Sequence, residues 1–465
     1  MSHELLSEIK NITGPENIYE IPYDPIMRRG IYITTEAPDI SETARPKVVL
    51  VDSAQQISRI LKLVNERREP IVVRQGTGCL SVDVPKPFKP ESILVDLRRM
   101  NWIRPYPESC YVEVGPAISL SKLNAHLAPL GYEYPISVDP ITLGGLVSIN
   151  ISGHLVDPGY GKPGDYVLGL EVVLPTGEII NTGTKTLRRH VGFDLTRLFI
   201  GGQALFGVIT NIRLRLVPKP AEKAYALVTF GTIDDIMKAV NRFYVEKKPY
   251  ARILEFTDEN YVKFSLLGRI VPRGSLLMIG TDGDAPGEAR WKLDNLLETC
   301  KEENAKDVKI VEDEREWGKI WEARASPWIM FEERGLQNLG SEVLDIPLPR
   351  LQEAARDLAE MMERYIQRYK DLVGFLYGHI GALSFHPNFV CPIDWSYERC
   401  VEVMRRIRED VINIKLKYEA GTGDQGIFPE HKEWFRKAYG ETYYKLVKKI
   451  KKVFDPYGIL NTERI

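Results

Sequence analysis

The stretch Ser137-Val-Asp-Pro-Ile-Thr-Leu-Gly-Gly-Leu-Val-Ser-Ile-Asn-Ile-Ser-Gly153 decides how the rest of the chain reads. Glycines, small hydroxyl residues and Asn150 crowd together in it. That composition suits backbone closing on a planar polar cofactor, because glycine permits close approach and small polar side chains supply hydrogen bonds. A second block, Gly161-Lys-Pro-Gly-Asp-Tyr-Val-Leu-Gly-Leu-Glu-Val-Val-Leu-Pro-Thr-Gly177, follows directly. Upstream, Pro70-Ile-Val-Val-Arg-Gln-Gly-Thr-Gly-Cys-Leu-Ser81 sets Gly76 and Gly78 just after a predicted strand. Asp96 lies about 20 residues on, as in a dinucleotide-binding βαβ unit, but that motif opens a helix at its glycines. Pro85, Pro87 and Pro90 forbid such a helix. An ordinary glycine turn and a loop of backbone N–H groups cradling phosphate are both open readings.

A chain of 465 residues exceeds one hydrophobic core, so two or three domains are expected. The formal net charge of −2 argues against nucleic-acid binding. Five scattered cysteines with no CxxC pair indicate neither a disulfide framework nor an iron–sulfur or zinc motif, and free thiols in a reducing compartment are expected. The N-terminus lacks the basic and apolar regions of a secretory signal. The apolar stretch Val373 to Ile393 contains His379, His386, Pro387 and several glycines, so no membrane span is expected and the chain reads as cytoplasmic.

Short strands are predicted at 48–51, 70–73, 93–97, 111–114 and 166–174, the last in a hairpin with 178–180. Ile57, Ile60, Leu61 and Val64 recur at helical spacing. Leu120, Leu123, Leu127 and Leu130 do the same, with Gly131 at the C-terminal cap position. Ile212, Leu214 and Leu216 alternate with Arg213 and Arg215, as in a half-exposed strand. Pro218-Lys-Pro220 marks a boundary. Beyond it the order strand, helix, strand, repeated over 225–256 and 276–311, predicts a ferredoxin-like α+β domain. Helices over 351–369 and 397–412 and a basic C-terminal helix ending near Phe454 complete the chain.

These glycine blocks, with Lys185-Thr, Gly192-Phe-Asp-Leu-Thr-Arg-Leu-Phe-Ile-Gly201 and Phe454-Asp-Pro-Tyr-Gly-Ile-Leu-Asn461, resemble the FAD-linked oxidases of the vanillyl-alcohol-oxidase superfamily. Within it the chain is most similar to the glycolate oxidase flavin subunit and D-lactate dehydrogenase family, from about residue 45 to its last residue. The resemblance implies an α+β protein: a two-part FAD-binding domain over 1–218, a ferredoxin-like substrate or cap domain over 219–412, and a segment over 413–465 returning to the FAD domain. It implies non-covalent FAD held by Arg74, Gln75, Gly76, Thr77, Gly78, Cys79 and Ser81 at the pyrophosphate. Pro140, Thr142, Leu143, Gly144, Gly145, Ser148, Asn150 and Gly153 would run along pyrophosphate, ribityl chain and flavin. Val208, Ile209 and Thr210 would lie by adenine or ribose, and Asn461 would return from the C-terminus. Gly201-Gly-Gln-Ala-Leu-Phe-Gly207 departs from the family's Gly-Ser-Glu-Gly-Thr-Leu-Gly, with Gln203 in place of the acid. His154 reads as a polar contact, not a covalent flavin anchor.

Oxidation of a 2-hydroxy acid needs a cation for the carboxylate and a group to take the hydroxyl proton. Trp321-Glu-Ala-Arg324 resembles the family's Trp-x-x-Arg segment, making Arg324 the expected clamp. Tyr377-Gly-His-Ile-Gly-Ala-Leu-Ser-Phe-His386 resembles Gly-His-x-Gly-Asp-Gly-Asn-x-His, with both histidines kept and Asp-Gly-Asn lost. By the same resemblance His379, His386 and Asp424, the last from Gly423-Asp-Gln-Gly426, would hold zinc or manganese. The expected activity is dehydrogenation of a D-lactate- or glycolate-type acid, with electrons leaving for an iron–sulfur or other acceptor subunit. Competing expectations are a phenolic or sugar alcohol oxidase, an alkyl-glycerone-phosphate synthase type and a flavin-bearing relay subunit.

Overall fold

The computed structural model describes residues 3–20, 47–76, 93–136, 141–151, 153–154, 157–186, 192–246, 248, 251–327, 337–392, 394–421 and 432–461. The chain forms two units. One comprises Met1–Ile151, Lys162–Lys219 and Asp424–Ile465; the other comprises Ser152–Gly161 and Pro220–Gly423.

The first unit holds two principal sheets. In one, Lys47–Leu50 and Val72–Arg74 flank Ile93–Asp96 in parallel, and Ile18–Glu20 adds an antiparallel edge. Parallel neighbours need a crossover, and the helix Ala54–Arg67 supplies it. Its stripe of Ile57, Ile60, Leu61 and Val64 shares a core with Val49, Val73 and Val95. Ile459 and Leu460 enter the same core, and Leu460 bridges Ile71, so the C-terminal segment closes this layer.

The other sheet is antiparallel, in the order Ile103–Tyr106, Tyr111–Val114, Val208–Arg215, Val167–Val173 and Ile179–Gly183. Ile212 and Leu214 are buried while Arg213 and Arg215 are only half-buried, the alternation predicted for a sheet packed on one face. The helix Leu120–Leu127 is capped where Ser119 Oγ accepts the Lys122 N–H, and the chain leaves through Gly131 at φ 76°. The helix Leu143–Ile149 is buried along its whole length, in the same core as Leu170 and Ile212.

The second unit is built on one antiparallel sheet. Asp307–Val311, Glu222–Phe230, Ser275–Gly283 and Ile253–Thr257 lie side by side in that order. Numbered along the chain the order is 4-1-3-2, with the helices Ile233–Val245 and Glu288–Glu302 between successive pairs, which is the ferredoxin-like arrangement. Val373–Gly378, Ser384–Cys391 and Gln337–Ser341 extend the sheet beyond Ile253–Thr257. The apolar stretch beginning at Val373 is therefore a buried hairpin, and among the described residues no helix is long and apolar enough to cross a membrane.

Three details differ from the sequence reading. The second unit continues through Gly423, past the boundary expected at 412, because the helix Tyr397–Lys417 runs on and Gly421 bridges Asp345. Ser152–Gly161 belongs to this unit, where Tyr160 donates to Asp282, which also accepts Arg252 Nη1 at 2.7 Å. Cys391 and Cys400, expected as free thiols, form a disulfide joining the end of a strand to the helix Tyr397–Lys417. Sequence spacing missed it because the strand end and helix start are brought together by the fold. Cys110 and Cys300 are free, and burial pushes the Cys300 thiol up to about 12.

Candidate active site

In the first unit the glycine blocks meet backbone to backbone. A Cβ on Gly76 would lie 2.5 Å from the Gly145 nitrogen, and one on Gly144 would lie 2.2 Å from the Gln75 carbonyl oxygen. Only glycine lets the strand-end loop and the helix Leu143–Ile149 approach so closely. Gln75 is buried; its Nε2 donates to the Gly207 carbonyl at 3.0 Å, while its Oε1 has no partner among the described residues. An unpaired buried acceptor beside a glycine cradle fits a polar cofactor that brings its own donors. Arg74 Nε donates to the Gly76 carbonyl at 3.2 Å and steadies the loop.

Other expected cofactor residues have structural partners. Asn150, left-handed at φ 58°, accepts the Gly164 N–H at 2.8 Å. Asn461 accepts the Val73 N–H at 3.0 Å and donates to the Gln203 carbonyl at 3.3 Å, so it ties the returning C-terminus to the Val72–Arg74 strand end. The Ser148 carbonyl accepts from Gln203, and Val208 and Ile209 pair with Val173 and Val172. Thr142 precedes the helix, Leu143 is fully buried in it, and Gly153 lies just beyond this unit. Thr77, Gly78, Cys79, Ser81 and Pro140 lie outside the described residues.

In the second unit a different constellation forms, and its centre is Glu255. This carboxylate is wholly buried in the strand Ile253–Thr257. Phe256 pairs with Gly378 across an antiparallel ladder, so the next step of the register sets Glu255 beside His379. His379 Nδ1 lies 2.6 Å from Glu255 Oε1, and His154 Nδ1 lies 3.2 Å from the same oxygen. Arg324 Nη2 forms an ion pair with Glu255 Oε2. Arg324 ends the helix Glu314–Ala325, where Tyr261 Oη donates to its carbonyl at 2.6 Å and the Trp321 ring sits 5.1 Å from its guanidinium carbon. Its Nε has no partner among the described residues. Arg324 is thus a buried cation and not a surface helix residue.

The imidazoles are stacked in series. His154 packs edge-on against Trp321 at 4.7 Å and His379 at 4.8 Å, and His379 in turn against His386 at 4.8 Å. Tyr377 stacks on His386 at 4.8 Å. Burial works against the Glu255 charge, yet Arg324, His379 and His154 together hold its carboxyl well below the usual range. Burial lowers His154 to about 4 and drives His386 well below its ordinary value, His379 and Arg324 adding to both. The cluster therefore pairs one buried anion with one buried cation and keeps His154 and His386 in the neutral form.

Of the predicted chemistry, Arg324, His379 and His386 do converge, and Asp424 lies outside the described residues. Glu255 was not singled out from sequence, though a lone acid within Ile253-Leu-Glu-Phe-Thr257 is itself a sign of buried partners.

Residues 219–465 match the family described as FAD linked oxidases, C-terminal domain, and residues 46–183 match the FAD binding domain. The chain is 27% identical to glycolate oxidase subunit GlcD of Bacillus subtilis, over 99% of this chain and 96% of that one. It is 26% identical to the D-lactate dehydrogenase of Archaeoglobus fulgidus, over 99% and 98%. Among solved structures, p-cresol methylhydroxylase superposes with a TM-score of 0.74 at 16% identity, covering 99% of this chain and 96% of that one. Alkyldihydroxyacetonephosphate synthase gives the same score and identity over 100% and 86%. At that identity the likeness establishes the fold alone. With its glycine cradle, its ferredoxin-like second unit and both family matches, the chain belongs to the FAD-linked oxidases, oxidoreductases of the vanillyl-alcohol-oxidase fold.

Proposed function

We propose that the chain dehydrogenates a small 2-hydroxy acid of the D-lactate or glycolate type and passes the electrons to a separate acceptor protein. The observation that carries this reading is the buried Arg324, whose Nε has no partner among the described residues, set among imidazoles kept neutral. The guanidinium fork offers a substrate carboxylate a charge-assisted hydrogen bond, while Glu255 fixes its orientation through Nη2. His386, neutral because it is buried, is our candidate for the group that takes the hydroxyl proton. FAD, when bound, supplies the hydride acceptor at flavin N5. Gln75, Gly76, Gly144 and Gly145 are the residues of the first unit that would lie against it.

The relatives named for glycolate and D-lactate support the substrate class. One relative is named as a subunit and another carries cytochrome in its name, which supports a protein acceptor. Anaerobic mixing of the purified flavoprotein with D-lactate, L-lactate, glycolate and a phenolic alcohol tests the reading. Bleaching of the visible flavin band by D-lactate or glycolate is expected. Bleaching by the phenol alone, in protein that retains FAD, overturns it.

A further inference from the structure

We propose that the outward face of the helix Glu441–Phe454 docks on an anionic lipid surface. Lys445, Lys449 and Lys452 meet the headgroups, and Leu446 and Val453 enter the acyl boundary.

The helix carries five lysines and one glutamate, net +4, while the whole chain carries −2. Such a run is ordinarily a solvated face laced by i,i+4 ion pairs, or a last turn that complements the helix dipole. Neither accounts for this one. Lys445 with Lys449, and Lys448 with Lys452, set like charges four residues apart, which weakens a helix. Glu441 is engaged by Arg436 at 2.8 Å and lies 3.9 Å from Lys445. Lys448, Lys449 and Lys452 make no ion pair among the described residues. Lys451 differs, because its Nζ donates to the Leu205 and Leu460 carbonyls and pairs with Asp455.

An apolar stripe runs beside the lysines. On a helix of 3.6 residues per turn, Tyr443, Leu446, Ile450 and Val453 fall within an arc of about 80°. Lys445, Lys449 and Lys452 fill the adjoining arc of about 60°. Ile450 and Phe454 seat the helix on the core of the antiparallel sheet, yet Val453 is 79% exposed and Leu446 52%. With Tyr439, Tyr443 and Tyr457 they make five of the twelve large apolar side chains exposed among the described residues. That clustering marks a contact surface. Tyrosine suits a boundary that is apolar on one side and wet on the other, and lysine stems reach across apolar surface to place the ammonium at phosphate level. A second copy of this face would set lysine against lysine; an anionic bilayer answers the charge and the stripe together. Beyond the helix, Asn461 accepts the Val73 N–H at 3.0 Å, on the strand that leads into the glycine cradle. Docking therefore holds the FAD-binding unit at the surface. That a membrane-held acceptor then collects the electrons rests on the function proposed above; docking does not.

The test sediments the purified flavoprotein with vesicles of phosphatidylcholine, or of phosphatidylcholine mixed with phosphatidylserine. Wild type should prefer the anionic vesicles by at least about tenfold, and the preference should shrink as salt rises. Lys445→Glu with Lys449→Glu and Lys452→Glu should lose at least about a hundredfold, since each lysine near such a surface contributes about fivefold. Leu446→Ser with Val453→Ser should lose about tenfold with charge unchanged. Lys301→Glu with Lys319→Glu and Lys370→Glu, on exposed positions of the other unit, changes net charge equally and should bind as wild type does. All variants should retain FAD. Wild-type affinity in the first triple variant, or an equal loss in the second, overturns the proposal. So does a wild type that ignores anionic vesicles, which leaves an acidic protein surface as the complement of this face. Flavin bleaching by hydroxy acids is scored in the same preparations, so failure of docking and failure of the substrate assignment are distinguishable.

Discussion

Glu255→Gln is expected to destabilise the protein by about 3–5 kcal/mol, the usual result of removing one member of a buried ion pair. Glutamine keeps the shape of the side chain and can still accept from His379, so the loss lies in the charge facing Arg324. Arg324 is only 7% exposed, and water cannot replace the missing anion. Removing both charges, as Glu255→Gln with Arg324→Met, should recover at least about 2 kcal/mol, because no guanidinium is then stranded. The pH dependence has a definite sign. A carboxyl held below its unfolded value contributes stability above the unfolded pKa and loses it as pH falls through the folded one. The wild type should therefore lose this contribution only in acid, and Glu255→Gln should lack that limb. Urea unfolding followed by tryptophan fluorescence measures it, since Trp317 and Trp321 report from the same unit. A single-variant loss under about 1 kcal/mol, or a double variant equal to the sum of the singles, would refute the coupling.

His154, lowered to about 4 from 6.5, stays neutral while the unfolded chain gains a proton, so stability should drop by up to about 3 kcal/mol as pH falls between those values. His154→Phe should flatten that window in a pH series of unfolding curves. Ala204 stands at φ 59° where the family has glycine, so Ala204→Gly should raise the unfolding free energy by about 0.5–1 kcal/mol; a loss would show that the left-handed geometry is not strained. Non-reducing peptide mapping should recover Cys391 joined to Cys400, and replacing both with serine should cost about 2–3 kcal/mol for a loop closed over a separation of 9; a variant as stable as wild type would contradict a stabilising bridge.

Much of the fold was legible because side-chain period and turn chemistry are local. The stripe of Ile57, Ile60, Leu61 and Val64, the alternation through Ile212 and Leu214 and the stop at Gly131 each follow from a few neighbouring residues. The strand and helix order from 222 to 311 was readable for the same reason, and it carried the 4-1-3-2 sheet with it. The site was legible only where a motif was contiguous, as at Trp321 to Arg324 and Tyr377 to His386. Glu255 belongs to no such motif, and its partners Arg324 and His379 are 69 and 124 residues away. Yet the sheet order explains the meeting. Ile253–Thr257 is the edge strand of the ferredoxin-like set, and Val373–Gly378 pairs with it there, while Gln337–Ser341, earlier in the chain, pairs farther out with Ser384–Cys391. Antiparallel pairing of Phe256 with Gly378 then leaves Glu255 and His379 as the following pair. An acid in the middle of an apolar strand demanded buried partners from the start, and the edge of the sheet determined that His379 would be one of them, beside Arg324 from the helix Glu314–Ala325.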